Sequence, residues 1–154
     1  MWSKKGQTAT EYLIILAVVI VIALVVVVAM GRFPGMGQGA ASQASQVFWS
    51  TQDIAITSYA VAEDGVVVNV RNNMRSTIDI KSIKIGQVTI NREVTLATGR
   101  TERFNSSDGA NCNNQGDPFS LDVEIEYTDR DTGATYTFTG SNTPIEGTCA
   151  SSIS

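Results

Sequence analysis

The sequence predicts an α+β protein in which a long N-terminal hydrophobic α-helix is followed by an antiparallel β-sandwich. Two observations support this fold class. Residues 12–30 contain no charged residue and no proline. From residue 53 onwards, short runs of alternating apolar and polar residues are separated by turn sequences, a pattern typical of antiparallel strands.

The apolar run is long enough to cross a membrane. Its 19 residues would extend about 28 Å as a helix, close to the thickness of a bilayer's hydrocarbon core. Eleven of the 19 are Val or Ile, which favour strands in water. In lipid an isolated strand would leave its backbone groups without hydrogen bonds, so the helix is the stable form. Lys4 and Lys5 precede the run and only Arg32 follows it closely, which predicts a cytoplasmic N-terminus and an exported remainder.

The composition argues against several classes of function. The formal net charge is −4, and it becomes −6 without Lys4 and Lys5, so we expect no nucleic-acid partner. The chain has no histidine, the commonest general base and metal ligand, and it has no P-loop or Gly-x-Gly-x-x-Gly motif. We therefore expect no enzymatic activity, no catalytic or metal site and no cofactor.

The two cysteines, Cys112 and Cys149, both lie well after the apolar run. A cysteine pair beyond an export segment is typical of a disulfide in an oxidising compartment. Neither residue has the CxxC spacing of a reactive thiol pair. The sequence therefore predicts a structural disulfide that ties a long polar loop to the C-terminal tail.

The residues before the apolar run resemble a known signal. The segment KKGQTATEY at residues 4–12 is similar to the class III signal peptide of archaeal type IV pilins. The resemblance implies that a prepilin peptidase cuts between Gly6 and Gln7, removes residues 1–6 and makes Glu11 the fifth residue of the mature chain. It also implies that the pilus assembly machinery and, before assembly, the membrane are partners.

In that family the mature helices bundle into the core of an extracellular filament. The resemblance thus implies a homopolymer whose β domain coats the filament, with adhesion as its use. A carboxylate at the edge of an apolar helix is costly unless it has a partner, and the α-amino group of Gln7 in a neighbour would supply one for Glu11. Glu11 would then set the axial register. The expected polymerisation core comprises Tyr12, Leu13, Ile14, Leu16, Val19, Ile20 and Leu24.

Other interpretations stay open at this point. The chain could be a monomeric, single-pass protein whose Ig-like domain binds a partner at the cell surface. Within the pilin class it could be a pseudopilin, or an archaellin, although archaellins generally lack a glutamate at the position of Glu11. The first interpretation predicts that residues 1–6 stay attached.

A break is expected after the apolar helix. Residues 31–39 contain four glycines and one proline, which weaken a helix. Helical spacing returns over residues 40–52, so the N-terminal helical part is predicted to span residues 7–52 and the β domain residues 53–154. Trp49 is expected to pack where this second helix meets the β domain or against a neighbouring subunit.

The β domain is predicted to contain seven or eight strands. Residues 54–61 alternate in period two, an Asp-Gly turn follows, and a bulge is expected at Lys81-Ser82. The succession of these strands and turns along the sequence resembles that of the Ig-like domains of archaeal pilins and archaellins. The further predicted strands are residues 66–71, 78–85, 88–90, 94–96, 100–104, 121–128 and 134–139.

Two polar features of the β domain stand out in the sequence. Asn105-Ser106-Ser107 is an N-glycosylation sequon, expected in a polar loop. Three carboxylates, at Asp122, Glu124 and Glu126, alternate with apolar residues. They could serve acid–base catalysis or calcium binding, but alternation alone predicts a solvated outer face, which we prefer.

Overall fold

A computed structural model describes residues 4–31 and 36–154. The chain divides into two compact units, Met1–Gly37 and Gln38–Ser154. The second unit is called the head domain below.

The first unit contains helix α1, Lys4–Gly31. The helix predicted over residues 12–30 is therefore present. Helix α2 spans Met36–Ser50, so it begins four residues before the predicted start at residue 40. Gly37 and Gly39 therefore lie within a helix, because helix propensity is a weak preference and a glycine costs a helix only about 1 kcal/mol relative to alanine. Of the predicted break at residues 31–39, residues 32–35 lie outside the described part of the chain.

The head domain contains nine strands and one 3-10 turn in its described residues, and all strand pairs are antiparallel. A three-stranded sheet has the order β1-β2-β5, a four-stranded sheet the order β4-β3-β7-β8, and a small sheet pairs β6 with β9. The elements are β1 Ile54–Ala62, β2 Gly65–Asn72, β3 Ile78–Ile85, β4 Val88–Leu96, β5 Thr101–Ser106, β6 Pro118–Leu121, β7 Val123–Asp129, β8 Thr135–Phe138, the turn Gly140–Asn142 and β9 Ile145–Thr148.

The core lies between the two larger sheets. Alternate residues of β2 are fully buried, and so are alternate residues of β3 on either side of its bulge. Side chains of the two sheets thus meet in one apolar cluster, as in a β-sandwich. The predicted α+β class with a sandwich-like β domain is confirmed. The buried members in these two strands are Val66, Val68, Val70, Ile78, Ile80, Ile83 and Ile85.

Bulges decide which side chains face this core. The expected bulge in β3 is confirmed, because the register shifts between Ile80 and Ser82 against both neighbouring strands. A second shift, between Ile56 and Ser58 of β1, was not expected. The shift changes the phase of the strand, so that Ile54 and Ile56 before it and Val61 after it are all buried, and the uninterrupted alternation predicted for residues 54–61 is wrong.

Other strand boundaries also differ from the prediction. Residues 88–90 and 94–96 belong to one continuous strand, β4. The predicted strand at residues 121–128 is divided at Asp122, where the chain leaves the small sheet and enters the four-stranded one. Strand β9 was missed because its sequence, Ile-Glu-Gly-Thr, is too short to show a period.

Helix α2 contacts both larger sheets of the head domain. Its Trp49 is fully buried and lies edge-on to Phe138 of β8, with ring centroids 6.0 Å apart. Its Ser45 hydroxyl lies 3.3 Å from the Tyr59 hydroxyl of β1. Trp49 therefore packs within its own chain, the first of the two predicted alternatives. Gly140, at a φ of +56°, lies against the Trp49 indole so closely that a Cβ there would overlap the ring.

Replacing Gly140 with alanine should destabilise the head domain more than the same change at Gly133. Both glycines have positive φ, +56° and +72°, but nothing lies near the Cβ position of Gly133. Gly133→Ala should cost only the backbone term of about 1–2 kcal/mol. Gly140→Ala should cost about 1–3 kcal/mol more because the methyl group overlaps Trp49. Denaturant unfolding of the two variants in detergent measures the difference, and equal losses of stability would show that the indole does not constrain Gly140.

Candidate membrane and assembly segment

Helix α1 exposes its apolar side chains over Ala9–Val26. In the part of the chain that the structure describes, Ala9–Val26 is the one helix segment long and apolar enough to cross a membrane, and none of its residues is buried. Its 18 residues extend about 27 Å. Such a helix suggests membrane anchoring or secretion. The residues predicted to form the polymerisation core include the exposed Tyr12, Leu13, Ile14, Leu16, Val19, Ile20 and Leu24.

Glu11 is exposed on the same helix, one residue before Tyr12. No ion pair joins it to another described side chain. The register role expected for this carboxylate involves a neighbouring copy of the chain. That role stays a prediction.

The predicted cleavage site lies in the first turns of α1. The helix begins at Lys4, so the peptide bond between Gly6 and Gln7 is helical in the described backbone. The side chains of residues 1–8 lie outside the described part of the structure. Processing at this bond stays a prediction.

The predicted disulfide is confirmed. Cys112 and Cys149 are bonded, with Cα atoms 5.7 Å apart and a sequence separation of 37 positions. The backbone reinforces the link, because the Gly116 amide donates to the Cys149 carbonyl at 2.8 Å and the Cys149 amide donates to the Asp117 carbonyl at 2.7 Å. A further bond, from the Ala150 amide to the Val61 carbonyl at 2.8 Å, holds the tail on β1. A buried structural disulfide suggests an extracellular location.

The sequon is exposed but not in a loop. Asn105 lies within strand β5, where it pairs with Val67 of β2, so the expected polar loop is wrong at this position. Its side chain points to the solvent-exposed side of the sheet, since the next residue toward the centre, Phe104, points into the core. Glycosylation of Asn105 stays a prediction.

The three alternating carboxylates occupy a solvated face, as predicted. Asp122, Glu124 and Glu126 are exposed, while the apolar residues between them and Tyr127 are buried. Among the described residues, no group of three or more His, Cys, Asp or Glu side chains is arranged to hold a metal ion.

Four ion pairs cross the head domain surface, and each uses a residue of β3 or β4. Lys81 pairs with Glu93, Lys84 with Glu124 at 3.7 Å, Arg92 with Glu102 at 2.6 Å, and Arg130 with Asp79 at 2.9 Å. The Arg130 guanidinium bonds both oxygens of Asp79. This bond, with help from the Thr95 hydroxyl, holds the pKa of Asp79 below its usual value.

Sequence reasoning missed the contact that fixes α2 to the head domain. The Ser45 hydroxyl donates to the Pro144 carbonyl at 3.0 Å and accepts from the Glu146 amide at 3.1 Å. The Tyr59 hydroxyl donates to the Glu146 carbonyl at 2.6 Å. A serine in a helix of Ala, Ser and Gln resembles a surface residue, and the only available signal was its position four residues before Trp49.

No protein-family model matches this chain, and no curated protein matches it either. The class is therefore defined by the structure alone. It is an α+β protein with one N-terminal apolar helix able to anchor it in a membrane or direct its secretion. The attached β-sandwich domain carries a disulfide.

Removing the disulfide should weaken the head domain. In the chain-entropy model, closing 37 residues of chain stabilises by up to about 4 kcal/mol, so a Cys112→Ser/Cys149→Ser chain should unfold at a lower denaturant concentration. Near-ultraviolet circular dichroism of the full chain in detergent follows the transition. The unaltered chain with a thiol reductant is the matched control and should lose as much stability; identical transitions in all three samples would contradict a stabilising role.

Proposed function

We propose that the chain is the structural subunit of an extracellular filament of the type IV pilus kind, polymerising through α1 and used for adhesion. The observation that carries this proposal is the exposed apolar surface of Ala9–Val26, in which no residue is buried. Burying a Val, Leu or Ile side chain contributes about 1.5–3 kcal/mol, so this surface favours any state that covers it.

Two states can cover such a helix, lipid or other copies of itself. Before assembly, membrane lipid covers α1, because the helix has the length and composition of a membrane span. After assembly, other copies of α1 cover it, when the helices pack together as the filament core. The signal-like segment at residues 4–12 supports the second state, since its similarity is to the class III signal peptides of archaeal type IV pilins.

Glu11 supports the filament over a lone anchor. The carboxylate has no described ion-pair partner within its own chain. After cleavage at Gly6, the new amino group of Gln7 in an adjacent copy would neutralise it. A subunit displaced along the axis would leave the charge unpaired in an apolar core, which is costly, so the pair selects one register.

The head domain fits an exported coat. Its disulfide persists in oxidising compartments, and its outer strands present hydroxyl, amide and charged groups to solvent. Adhesion by this surface is the use that we propose for the filament, and prepilin peptidase and the pilus assembly machinery are the expected partners.

Blocking the proposed cleavage should abolish filaments. Cells producing the unaltered chain should release filaments on shearing, and N-terminal sequencing of that material should begin at Gln7. Gly6→Leu should leave the chain in the membrane fraction with Met1 or the lysines still attached. The control is Gly39→Ala, a glycine with nothing within contact distance of its Cβ position. A membrane-bound unaltered chain that begins at Met1, with no filaments, would instead support the monomeric surface protein.

Removing the charge of Glu11 should reduce filament yield without affecting processing. Glu11→Gln keeps the size of the side chain but cannot form the ion pair with a neighbour's amino group, so we expect yield to fall about tenfold, equivalent to about 1.4 kcal/mol per subunit addition. Electron microscopy of sheared material measures yield, and N-terminal sequencing checks cleavage. Glu11→Asp is the control that retains the charge; if Glu11→Gln assembled as well as the unaltered chain, the register role would be refuted.

A further inference from the structure

The cationic side chains of the head domain divide into two equal groups. Four of them form ion pairs with carboxylates: Lys81, Lys84, Arg92 and Arg130. The other four form no ion pair with a described Asp or Glu side chain: Arg71, Arg75, Arg100 and Arg103. Of these, Arg103 donates a hydrogen bond from its guanidinium to the main-chain oxygen of Ser154 at 2.9 Å. All four of these unpaired arginines are exposed.

The unpaired arginines belong to one region. Arg71 of β2 pairs with Thr101 of β5, and Arg103 of β5 pairs with Asn69 of β2. Arg71 and Arg103 are therefore diagonal neighbours on the same face of the sheet. This face points away from the core, because Val68, Val70 and Phe104, which alternate with them, are fully buried.

Buried Asn72 positions the other two arginines. Its side-chain amide donates to the carbonyls of Ser76 at 2.9 Å and Leu96 at 2.8 Å, and its oxygen accepts from the Met74 amide at 2.9 Å. Its backbone amide donates to the Arg100 carbonyl at 3.0 Å. The loops that carry Arg75 and Arg100 are thereby tied to the end of β2, next to Arg71. Arg71, Arg75, Arg100 and Arg103 are called the arginine face below.

The outer face of the opposite sheet has an excess of carboxylates. Glu124 and Glu126 of β7 are exposed, and Asp122 immediately precedes that strand. Glu124 forms an ion pair with Lys84 at 3.7 Å, whereas Asp122 and Glu126 form no ion pair with any described residue. Asp122, Glu124 and Glu126 are called the carboxylate face below.

We propose that the arginine face of one head domain docks on the carboxylate face of the next copy. In each copy Arg71 and Arg103 lie on the three-stranded sheet, and Glu124 and Glu126 lie on the four-stranded sheet. The contact is therefore head-to-tail, and it can repeat without closing, as a filament requires. This inference rests on the proposed polymer and identifies the partner surface within it.

A second copy fits the arginine face better than an anionic polymer does. The chain without Lys4 and Lys5 has a formal charge of −6, which repels a long polyanion overall. A second copy instead offers a compact set of carboxylates at a fixed place. Exposed charges of this kind contribute mainly orientation and specificity, so the docking aligns the heads while the apolar helices supply cohesion.

Charge reversal in the full chain tests the docking. Cells producing Arg71→Glu/Arg103→Glu, or Asp122→Arg/Glu126→Arg, should release about tenfold less filament on shearing, since each variant places like charges opposite one another. The chain carrying all four changes should recover to within about twofold of the unaltered yield. Rescue by the fourfold variant shows that a contact has been restored. If either double substitution reduced filament yield by misfolding the head domain, the fourfold variant would misfold as well and its yield would stay low.

Glu63→Arg is the matched control. Glu63 is exposed in the turn between β1 and β2, outside both faces, and its change equals that of Glu126→Arg in charge. Cells producing Glu63→Arg should release as much filament on shearing as cells producing the unaltered chain. Unaltered filaments should also dissociate at lower temperature in about 1 M NaCl, where the screening length falls to about 3 Å.

The outcomes separate this docking from the filament itself. Equal yields from all variants would overturn the docking and leave the filament in place. An unaltered chain that forms no filaments would overturn both. If the arginine variant loses filaments without rescue, and the unaltered chain binds dextran sulfate while that variant does not, the arginine face serves a polyanion and the docking is wrong.

Discussion

The exposed apolar surface of α1 is the feature on which the proposals for this protein depend. Within the described residues, Ala9–Val26 has no buried position, although it is built from side chains whose burial stabilises by about 1.5–3 kcal/mol each. We propose that lipid covers this surface before assembly and that other copies of α1 cover it afterwards. The register role that we propose for Glu11 follows from the same exposure, because a carboxylate among packed apolar helices is costly without a partner.

Helix α2 completes the packing of the head domain. The two larger sheets leave β1 and β8 at their edges, and α2 contacts both strands through Ser45 and Trp49. The indole is fully buried between aromatic rings, and its Nε1 finds no acceptor among the described residues, which costs about 1–3 kcal/mol. The burial of the ring and its edge-on contacts with Phe48 and Phe138 offset that cost.

The surface charges follow the sandwich architecture. Each of the four ion pairs includes a residue of β3 or β4, whereas the unpaired arginines lie on β2, on β5 and in the loops that adjoin them. A single copy therefore has an excess of positive charge on one outer face and of negative charge on the other. This separation of charge does little for an isolated domain. In a polymer of such domains, opposite charges on neighbouring copies would fix their relative orientation.

The sequence by itself determined the elements whose signal is local: the apolar helix, the alternating strands, the bulge of β3, the cysteine pair and the solvated carboxylates of β7. Composition and period-two spacing are properties of neighbouring residues, so they are visible without a fold. Only the tertiary structure decided the bulge of β1, strand β9, the place of Asn105 on β5, and the burial of Ser45. These depend on partners far along the chain; Ser45 bonds residues 99 and 101 positions away. The arginine face is of the same kind, since antiparallel pairing of β2 with β5 brings Arg71 and Arg103 together.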